Sequence, residues 1–219
     1  DPAEKFTIAL SAPTGGATLG TPSTTTVTIG DVPPPLSGSY TVGSGGNYPS
    51  LTNADGIFAA INLSGATSNL TINIISDLSG ELGIHALNQI AGGLTVLIKP
   101  SGGPRTITGS NAGALIRLND SDGVTIDGST SGATAAACFV GGNATLRELT
   151  IQNTNVGTSA CVLAVQTGTN GAQNNTIKTV NILGQDPATT LIGISLGGNT
   201  PGTAGADNDN NRVENCSVK

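Results

Sequence analysis

The 219-residue chain carries 8 lysines and arginines against 14 aspartates and glutamates, and only 2% of its residues are aromatic. It therefore lacks both the basic track that phosphates require and the aromatic platforms on which bases stack, which argues against nucleic acid as a partner. No apolar run approaches the roughly 20 residues of a membrane-spanning helix, so we expect no membrane insertion. Abundant glycine, threonine, valine and isoleucine are typical of β structure.

Residues 1–35 differ in pattern from the rest of the chain. Alternating apolar residues around Phe6 and around Val27 predict two strands, joined by a long loop rich in glycine and proline. Three consecutive prolines from Pro33 then interrupt regular structure, because proline removes a backbone donor. We therefore expect a hairpin and a proline-rich linker over 1–35 and a separate domain over 36–219.

The two predicted strands read FTIALS and TVTIGD, a pattern that resembles the closing hairpin of a Calx-beta domain. The likeness covers only the end of that larger module, and the acidic cluster of the family is reduced to Asp31. Calcium binding therefore does not carry over. An isolated two-stranded hairpin is marginally stable in water, so we expect this one to dock on the following domain or to complete the sheet of another chain.

One helix is predicted after the linker. Ile57, Phe58 and Ile61 have helical spacing, and Thr52 or Asn53 can cap the segment. The remainder reads as short strands in which an apolar, a small polar and an apolar residue recur, at a period that indicates a repeat architecture. The triplets are Leu70-Thr71-Ile72, Leu94-Thr95-Val96, Val124-Thr125-Ile126, Leu149-Thr150-Ile151, Val180-Asn181-Ile182 and Cys216-Ser217-Val218.

The intervals between triplets contain further alternating strands and no helix. A coil that returns to stack on itself fits this pattern, because insertions are tolerated at its corners while alternate side chains point inward. The sequence therefore predicts a mostly β protein with the architecture of a parallel β-helix, or solenoid. It has a short N-terminal capping helix and a preceding β-hairpin extension.

The opening YTVGSGGNYPSL, residues 40–51, is followed by the helix and by LTINIISD, residues 70–77. This arrangement resembles the capping start of right-handed parallel β-helix, or pectin-lyase-like, domains of large bacterial surface proteins. The likeness covers residues 36–219 and implies an extracellular or cell-surface location. It implies no activity, because the fold occurs both in enzymes and in non-catalytic structural proteins.

Acidic residues beside the predicted strands are the candidates for a catalytic or calcium site. In the pectin-lyase-like family, which the sequence resembles, lyases combine bound calcium with an arginine or lysine base, and hydrolases use close aspartates. The candidates are Asp120, Asp122 and Asp127 near Arg117, and Asp207 with Asp209. A polar corner is the favoured explanation of the first two, because aspartate and glycine satisfy turn geometry, and Asp127 is expected to point outward. The family's Gly-His-Gly and Arg-x-Lys motifs are absent.

The remaining reactive side chains are one histidine and three cysteines. His85 shows neither a cleft nor a partner in the sequence, so we expect it at a surface or a corner. Cys138 and Cys161 are expected on successive coils, where small buried thiols are favoured over a disulfide, and Cys216 is expected to point inward. We therefore expect no catalytic residues, no metal ligands and no cofactor.

These observations favour a non-catalytic extracellular structural or adhesive β-solenoid segment of a surface, matrix or filament protein. The alternative is a polysaccharide-depolymerising enzyme, either a lyase or a glycoside hydrolase, on the same fold. A glycan-binding module is disfavoured, because aromatic platforms are nearly absent.

The two ends of the chain predict a mode of assembly. The sequence ends inside the sixth triplet, so an uncovered coil would offer unpaired backbone groups to another strand. The N-terminal hairpin has an apolar face without a sheet of its own. We expect head-to-tail self-association by strand addition or, equally, continuation of a longer chain. The expected assembly residues are Phe6, Ile8, Leu10, Val27, Ile29, Cys216 and Val218.

Overall fold

The structure, a computed structural model, describes residues 4–30, 32–132, 143–166, 168, 170–185, 192–205 and 207–219. Within these residues the chain is mostly β, with one α-helix and parallel sheets, as the sequence predicts, and the parallel sheets number three. The described residues contain no helix with the length and apolar character that crossing a bilayer requires. The chain divides into two compact units, residues 1–34 and 35–219.

The first unit contains an antiparallel hairpin. Its strands are β1 (Glu4–Ala9) and β2 (Thr24–Ile29), which pair so that Phe6 lies opposite Val27. Side chains alternate between the two faces of a strand, so Thr7 lies on the face opposite to Phe6. The Phe6 side chain keeps 49% of its surface exposed. The hairpin therefore presents an apolar face that its own strands leave largely uncovered.

The second unit contains three parallel sheets. The first sheet has six strands, which are β3 (Leu36–Val42), β4 (Ala66–Ile74), β7 (Val96–Pro100), β10 (Val124–Asp127), β13 (Thr176–Lys178) and β16 (Arg212–Glu214). The second has five, which are β5 (Leu78–Glu81), β8 (Arg105–Gly109), β11 (Leu149–Asn153), β14 (Val180–Leu183) and β17 (Ser217–Val218). The third has four, which are β6 (Leu87–Asn88), β9 (Ala114–Asn119), β12 (Cys161–Gln166) and β15 (Ile192–Gly197).

The chain passes through these sheets in a fixed order. From β4 onward it visits the first, the second and the third sheet before it returns to the first, and we call one such passage a circuit. A strand therefore pairs with the strands three places before and after it, as β10 does with β7 and β13. Backbone hydrogen bonds thus join each circuit to its neighbours.

Columns of isoleucine form much of the core. In the first sheet Ile72, Ile98 and Ile126 lie in register and are at most 1% exposed. In the second sheet Ile107 and Ile151 form an equivalent column. β-branched side chains suit this position, because they pack well on a pleated, buried surface. The main hydrophobic cluster consequently extends from β3 to β14.

The recurring triplets belong to two sheets rather than to one column. The first three lie at strands of the first sheet, and the last three lie at strands of the second. Leu70 pairs in register with Val96 and not with Leu94, so the second triplet is displaced by two residues. An apolar, polar, apolar pattern fits any strand with one buried face, and spacing alone therefore does not distinguish the sheets.

Helix α1 (Ile57–Ser64) lies in sequence between β3 and β4, where the sequence predicts it. The prediction that Thr52 or Asn53 caps the helix is wrong, because the helix begins after Gly56 and receives no side-chain cap. Glycine is required at that position, since a Cβ there would lie 2.8 Å from the carbonyl oxygen of Leu51. The buried side chains of the helix are Ile57, Phe58 and Ile61.

The inward and outward positions of β11 make a matched test of the core. Ile151 is fully buried, whereas its neighbour Gln152 is only partly covered. We expect Ile151→Ala to lower the free energy of unfolding by roughly 2–5 kcal/mol, because it leaves a cavity. We expect Gln152→Ala to change it by no more than about 0.5 kcal/mol. A denaturant titration that gave the reverse order would contradict this assignment of the two faces.

Candidate functional site

The acidic residues that the sequence singles out bind backbone groups of a later segment. The Asp120 carboxylate accepts hydrogen bonds from the backbone N–H groups of Asn170 at 3.1 Å and Gly171 at 3.0 Å. The Asp122 carboxylate accepts one from the backbone N–H of Gln173 at 2.7 Å. Hydrogen bonds to an ionised acceptor are stronger than neutral ones. Both side chains therefore hold the segment that leads into β13.

Asp127 is only 3% exposed, so the prediction that it points outward is wrong. One carboxylate oxygen lies 3.0 Å from the Lys178 ammonium, and the other accepts hydrogen bonds from the hydroxyl groups of Ser129 and Thr179 at 2.8 Å. Burial raises the pKa of Asp127, but the hydrogen bonds from Ser129, Lys178 and Thr179 outweigh it, and the pKa lies below its ordinary value. Asp127 is thus a buried, paired carboxylate.

In the part of the chain that the structure describes, these acids do not come together as a metal site. Among the described residues, no group of three or more His, Cys, Asp or Glu side chains could hold a metal ion. Asp207 and Asp209 are exposed. Arg117 donates to the carbonyl oxygens of Gly83 and Ile84, each at 2.8 Å. Within the described part of the chain, no carboxylate lies within ion-pair distance of its guanidinium.

Two of the three cysteines can be placed. Cys161 is a fully buried thiol whose Sγ lies 3.1 Å from the carbonyl oxygen of Leu163, and burial raises its pKa to about 12. Cys216 is partly buried and packs against the main core, as the sequence predicts. Cys138 lies outside the described residues. A thiol with a raised pKa is a poor nucleophile at neutral pH, so Cys161 contributes packing.

A polar groove lies along the third sheet. It consists of two adjoining cavities of about 430 Å³ and about 250 Å³, and Arg117 and Asn199 line both of them. His85 lines the larger cavity. Its backbone N–H donates to the carbonyl oxygen of Thr52 at 2.8 Å, which fixes this corner of the chain.

A column of amide side chains forms one wall of the larger cavity. Asn88, Asn119 and Gln166 lie in register on β6, β9 and β12. The Gln166 amide donates to the Asn119 side-chain oxygen at 3.3 Å, and the Asn119 amide donates to the Asn88 side-chain oxygen at 3.2 Å. Gln166 is 4% exposed, and its Oε1 atom has no hydrogen-bond partner among the described residues.

The sequence does not predict the role of Glu81, which is 1% exposed. Its carboxyl group accepts hydrogen bonds from the Ser50 hydroxyl at 2.8 Å, from the Leu51 N–H at 3.0 Å, and from both the N–H and the hydroxyl of Thr52. One buried acid therefore ties the second sheet to the segment that precedes α1. No motif around Glu81 indicates this, because the three residues that supply the donors lie about 30 positions away in sequence.

Asn153 at the end of β11 is a second buried polar residue that the sequence does not predict. Its side-chain amide donates to the carbonyl oxygens of Asn111 and Cys161, each at 2.8 Å. Its side-chain oxygen accepts from the N–H groups of Asn111 and Asn155, each at 3.1 Å. The side chain thereby links the end of β11 to the segment that leads into β9 and to the first residue of β12.

Asn175 and Asn211 do show a signal in the sequence, because each stands immediately before a strand of the first sheet. The Asn175 side-chain oxygen accepts from the Val124 N–H at 2.8 Å, and the Asn211 side-chain oxygen accepts from the Asn175 N–H at 2.9 Å. Asparagine at this corner therefore joins one circuit to the next.

The residues predicted for assembly lie in both units. Within the hairpin, the exposed fractions are 49% for Phe6, Ile8 and Ile29 and 64% for Leu10, while Val27 is partly buried. In the second unit Val218 is 54% exposed on β17, and Cys216 precedes that strand.

Comparison with known proteins adds no relative. No protein-family model, no curated protein and no solved structure matches the chain.

Proposed function

We propose that the three sheets close into a right-handed parallel β-helix of the pectin-lyase-like kind, with α1 as a cap at its start. The fixed order of the sheets supports this, since a coil that returns to stack on itself must visit its faces in a constant order. Crossover connections between parallel strands of one sheet are right-handed in about 98% of cases, which supports the handedness. The hairpin at residues 4–29 is proposed as the end of a Calx-beta-like module, on its FTIALS and TVTIGD strands.

We propose that this domain is a non-catalytic, extracellular structural or adhesive segment of a surface, matrix or filament protein. The proposal rests on one observation, which is that the polar side chains of the domain bind other parts of the same chain. Asp120, Asp127, Asn153 and Asn175 all bind backbone or side-chain groups of other strands and loops. Side chains used in this way stabilise a long stack and are not available to a reacting molecule.

The alternative function is polysaccharide depolymerisation. The polar groove around Arg117 is the observation in its favour, because a cleft is needed to hold a substrate. Cleavage of a polysaccharide by a lyase or a hydrolase would also need bound calcium or a close carboxylate pair. Asp120 and Asp122, the nearest candidates in sequence, already accept backbone hydrogen bonds. We therefore expect no release of unsaturated or reducing sugars from acidic polysaccharides, and such release would support the enzyme.

We propose further that copies associate head-to-tail, with the hairpin of one chain added to a sheet of the next. The exposed apolar face of the hairpin supports this, since Phe6, Ile8 and Ile29 leave about half of their surface uncovered. An extended segment that joins a sheet gains backbone hydrogen bonds along its length. The competing proposal is that further strands of a longer chain cover the same sheets.

Electron microscopy and sedimentation of three variants test this assembly. Removal of residues 1–35 is expected to abolish filaments or higher oligomers, and Ile8→Asp is expected to weaken them, because a charge on the apolar face opposes its burial. Thr7→Asp is the matched control, since Thr7 occupies the opposite face of the same strand. Assembly that is unchanged without the hairpin would contradict strand addition, as would monomers at every concentration of the unmodified chain.

A further inference from the structure

One asparagine of the chain precedes a glycine, at Asn170-Gly171 in the segment that leads into β13. An asparagine loses its side-chain amide when the backbone nitrogen of the following residue attacks the side-chain carbonyl carbon. Glycine in the following position favours this attack, because it has no Cβ to hinder the nitrogen and restricts the backbone least. The Asn170 side chain is exposed, so water can reach it. Of the asparagines in the chain, Asn170 is therefore the one expected to react fastest.

The fold requires this glycine. The backbone of Gly171 has a φ of +88°, in the left-handed region that residues with a side chain disfavour. A Cβ at Gly171 would also collide with the backbone carbonyl oxygen of Asp207. The glycine that makes Asn170 reactive therefore cannot be exchanged for another residue without strain.

A single carboxylate oxygen binds the nitrogen that would attack. Asp120 Oδ1 accepts hydrogen bonds from the backbone N–H of Gly168, from that of Asn170 at 3.1 Å and from that of Gly171 at 3.0 Å. The Asp120 side chain belongs to a residue that is only 9% exposed, so water screens its charge weakly. The Gly171 nitrogen must lose its proton before it attacks. A carboxylate beside it opposes that loss, because it stabilises the N–H and repels the amide anion.

We propose that Asn170 is a deamidation site whose rate is set by Asp120, which keeps the attacking Gly171 nitrogen protonated and hydrogen-bonded. In the reaction, hydroxide removes the Gly171 N–H proton, and the nitrogen forms a bond to Asn170 Cγ. The bond between Cγ and Nδ2 breaks, and Nδ2 takes a proton from water and leaves as ammonia, which regenerates hydroxide. Water then opens the cyclic imide at either carbonyl carbon and leaves aspartate or isoaspartate. This site does not depend on the structural role proposed for the domain.

Asp122 is a matched control, because it holds the same segment at a different point. Its carboxylate accepts a hydrogen bond from the backbone N–H of Gln173 at 2.7 Å, two residues beyond Gly171. The loss of either acid removes an anchor of the segment. Only the loss of Asp120 removes the acceptor of the Gly171 N–H.

Peptide mapping by mass spectrometry after incubation in mildly alkaline buffer measures the conversion of Asn170. In guanidinium chloride, Asn170 is expected to convert before any other asparagine of the unfolded chain. In the folded chain its conversion is expected to be at least about tenfold slower, because a hydrogen bond to a charged group contributes at least that factor. Equal rates in the folded and unfolded chains would overturn the proposal, as would an earlier reaction at another asparagine of the unfolded chain.

Variants of the two acids separate the effect of Asp120 from a general loosening of the segment. In the folded chain, Asp120→Ala is expected to speed the conversion of Asn170 at least about tenfold, and Asp122→Ala less than about threefold. Equal acceleration by both substitutions, or none by Asp120→Ala, would overturn the role of Asp120.

If Asp120→Ala does not fold, amide hydrogen exchange of the unmodified chain replaces it, since exchange also requires loss of the N–H proton. The Gly171 amide must then exchange at least about tenfold more slowly in the folded than in the unfolded chain. Exchange of the Gly171 amide at the rate of the unfolded chain would overturn the proposal.

Discussion

Replacement of Glu81 by alanine is expected to lower the free energy of unfolding by about 3–5 kcal/mol. The substitution removes the acceptor for the hydroxyl groups of Ser50 and Thr52 and for the N–H groups of Leu51 and Thr52. These donors are buried, and water cannot easily replace the lost acceptor. A urea titration that follows β-sheet circular dichroism measures the change.

Asp55 supplies the matched control for this experiment. It is an exposed acid two residues before the start of α1, close in sequence to the three residues that Glu81 contacts. Asp55→Ala is expected to change the free energy of unfolding by no more than about 0.5 kcal/mol, since its surroundings are solvated. Similar effects of the two substitutions would mean that loss of charge, rather than loss of a buried acceptor, determines the stability of this segment.

Replacement of Asp127 by alanine is expected to lower the free energy of unfolding by about 3–5 kcal/mol, because it removes the buried carboxylate that lies 3.0 Å from the partly buried Lys178 ammonium. It also removes the acceptor for the Ser129 and Thr179 hydroxyl groups, which lie 2.8 Å from one carboxylate oxygen. The exposed Asp209 provides a control, and Asp209→Ala is expected to be nearly neutral. Equal losses from the two substitutions would contradict the role of the buried pair.

Asp127 also makes the stability depend on pH in a predictable direction. Its pKa in the folded protein lies below its ordinary value, which is about 3.9 in an unfolded chain. The carboxylate therefore contributes fully above about pH 4, and the contribution is lost as the pH falls through the folded pKa. The free energy of unfolding should consequently fall less steeply with acidification in Asp127→Ala than in the unmodified protein. Parallel curves below pH 4 would show that this residue does not carry the effect.

The sequence predicts those parts of the fold that depend on local patterns. Alternation around Phe6 and Val27 indicates the hairpin, and the spacing of Ile57 and Phe58 indicates α1, because each signal lies within a few adjacent residues. Ile151 is correctly predicted to be buried for the same reason. Periodicity reports which face of an element is apolar, and in this chain that is sufficient for the mostly β class with parallel sheets.

Contacts between circuits could not be predicted in the same way. Whether Asp127 is outward or buried depends on Lys178 and Thr179, which belong to the next circuit, and the length of the intervening segment is not fixed by any repeat. The groove around Arg117 could not be predicted for the same reason, since its walls also come from segments that are distant in sequence. Arg117 stands out in the sequence only as a cation near acids, whereas its actual neighbours come from separate segments that include His85, Gln166 and Asn199.

The fixed order of the sheets makes backbone pairing in the second unit a relation between neighbouring circuits. Because each strand described there pairs only with its counterparts in the preceding and following circuits, we expect the stability of this unit to be approximately a sum over its circuits and over the interfaces between neighbours. A destabilising substitution in one circuit is then expected to affect mainly the two circuits beside it. In sequence, 21 residues separate β10 from β11, and both strands keep their register with the preceding circuit, β10 with β7 and β11 with β8. The connections between strands are therefore expected to accept inserted residues more readily than the strands themselves.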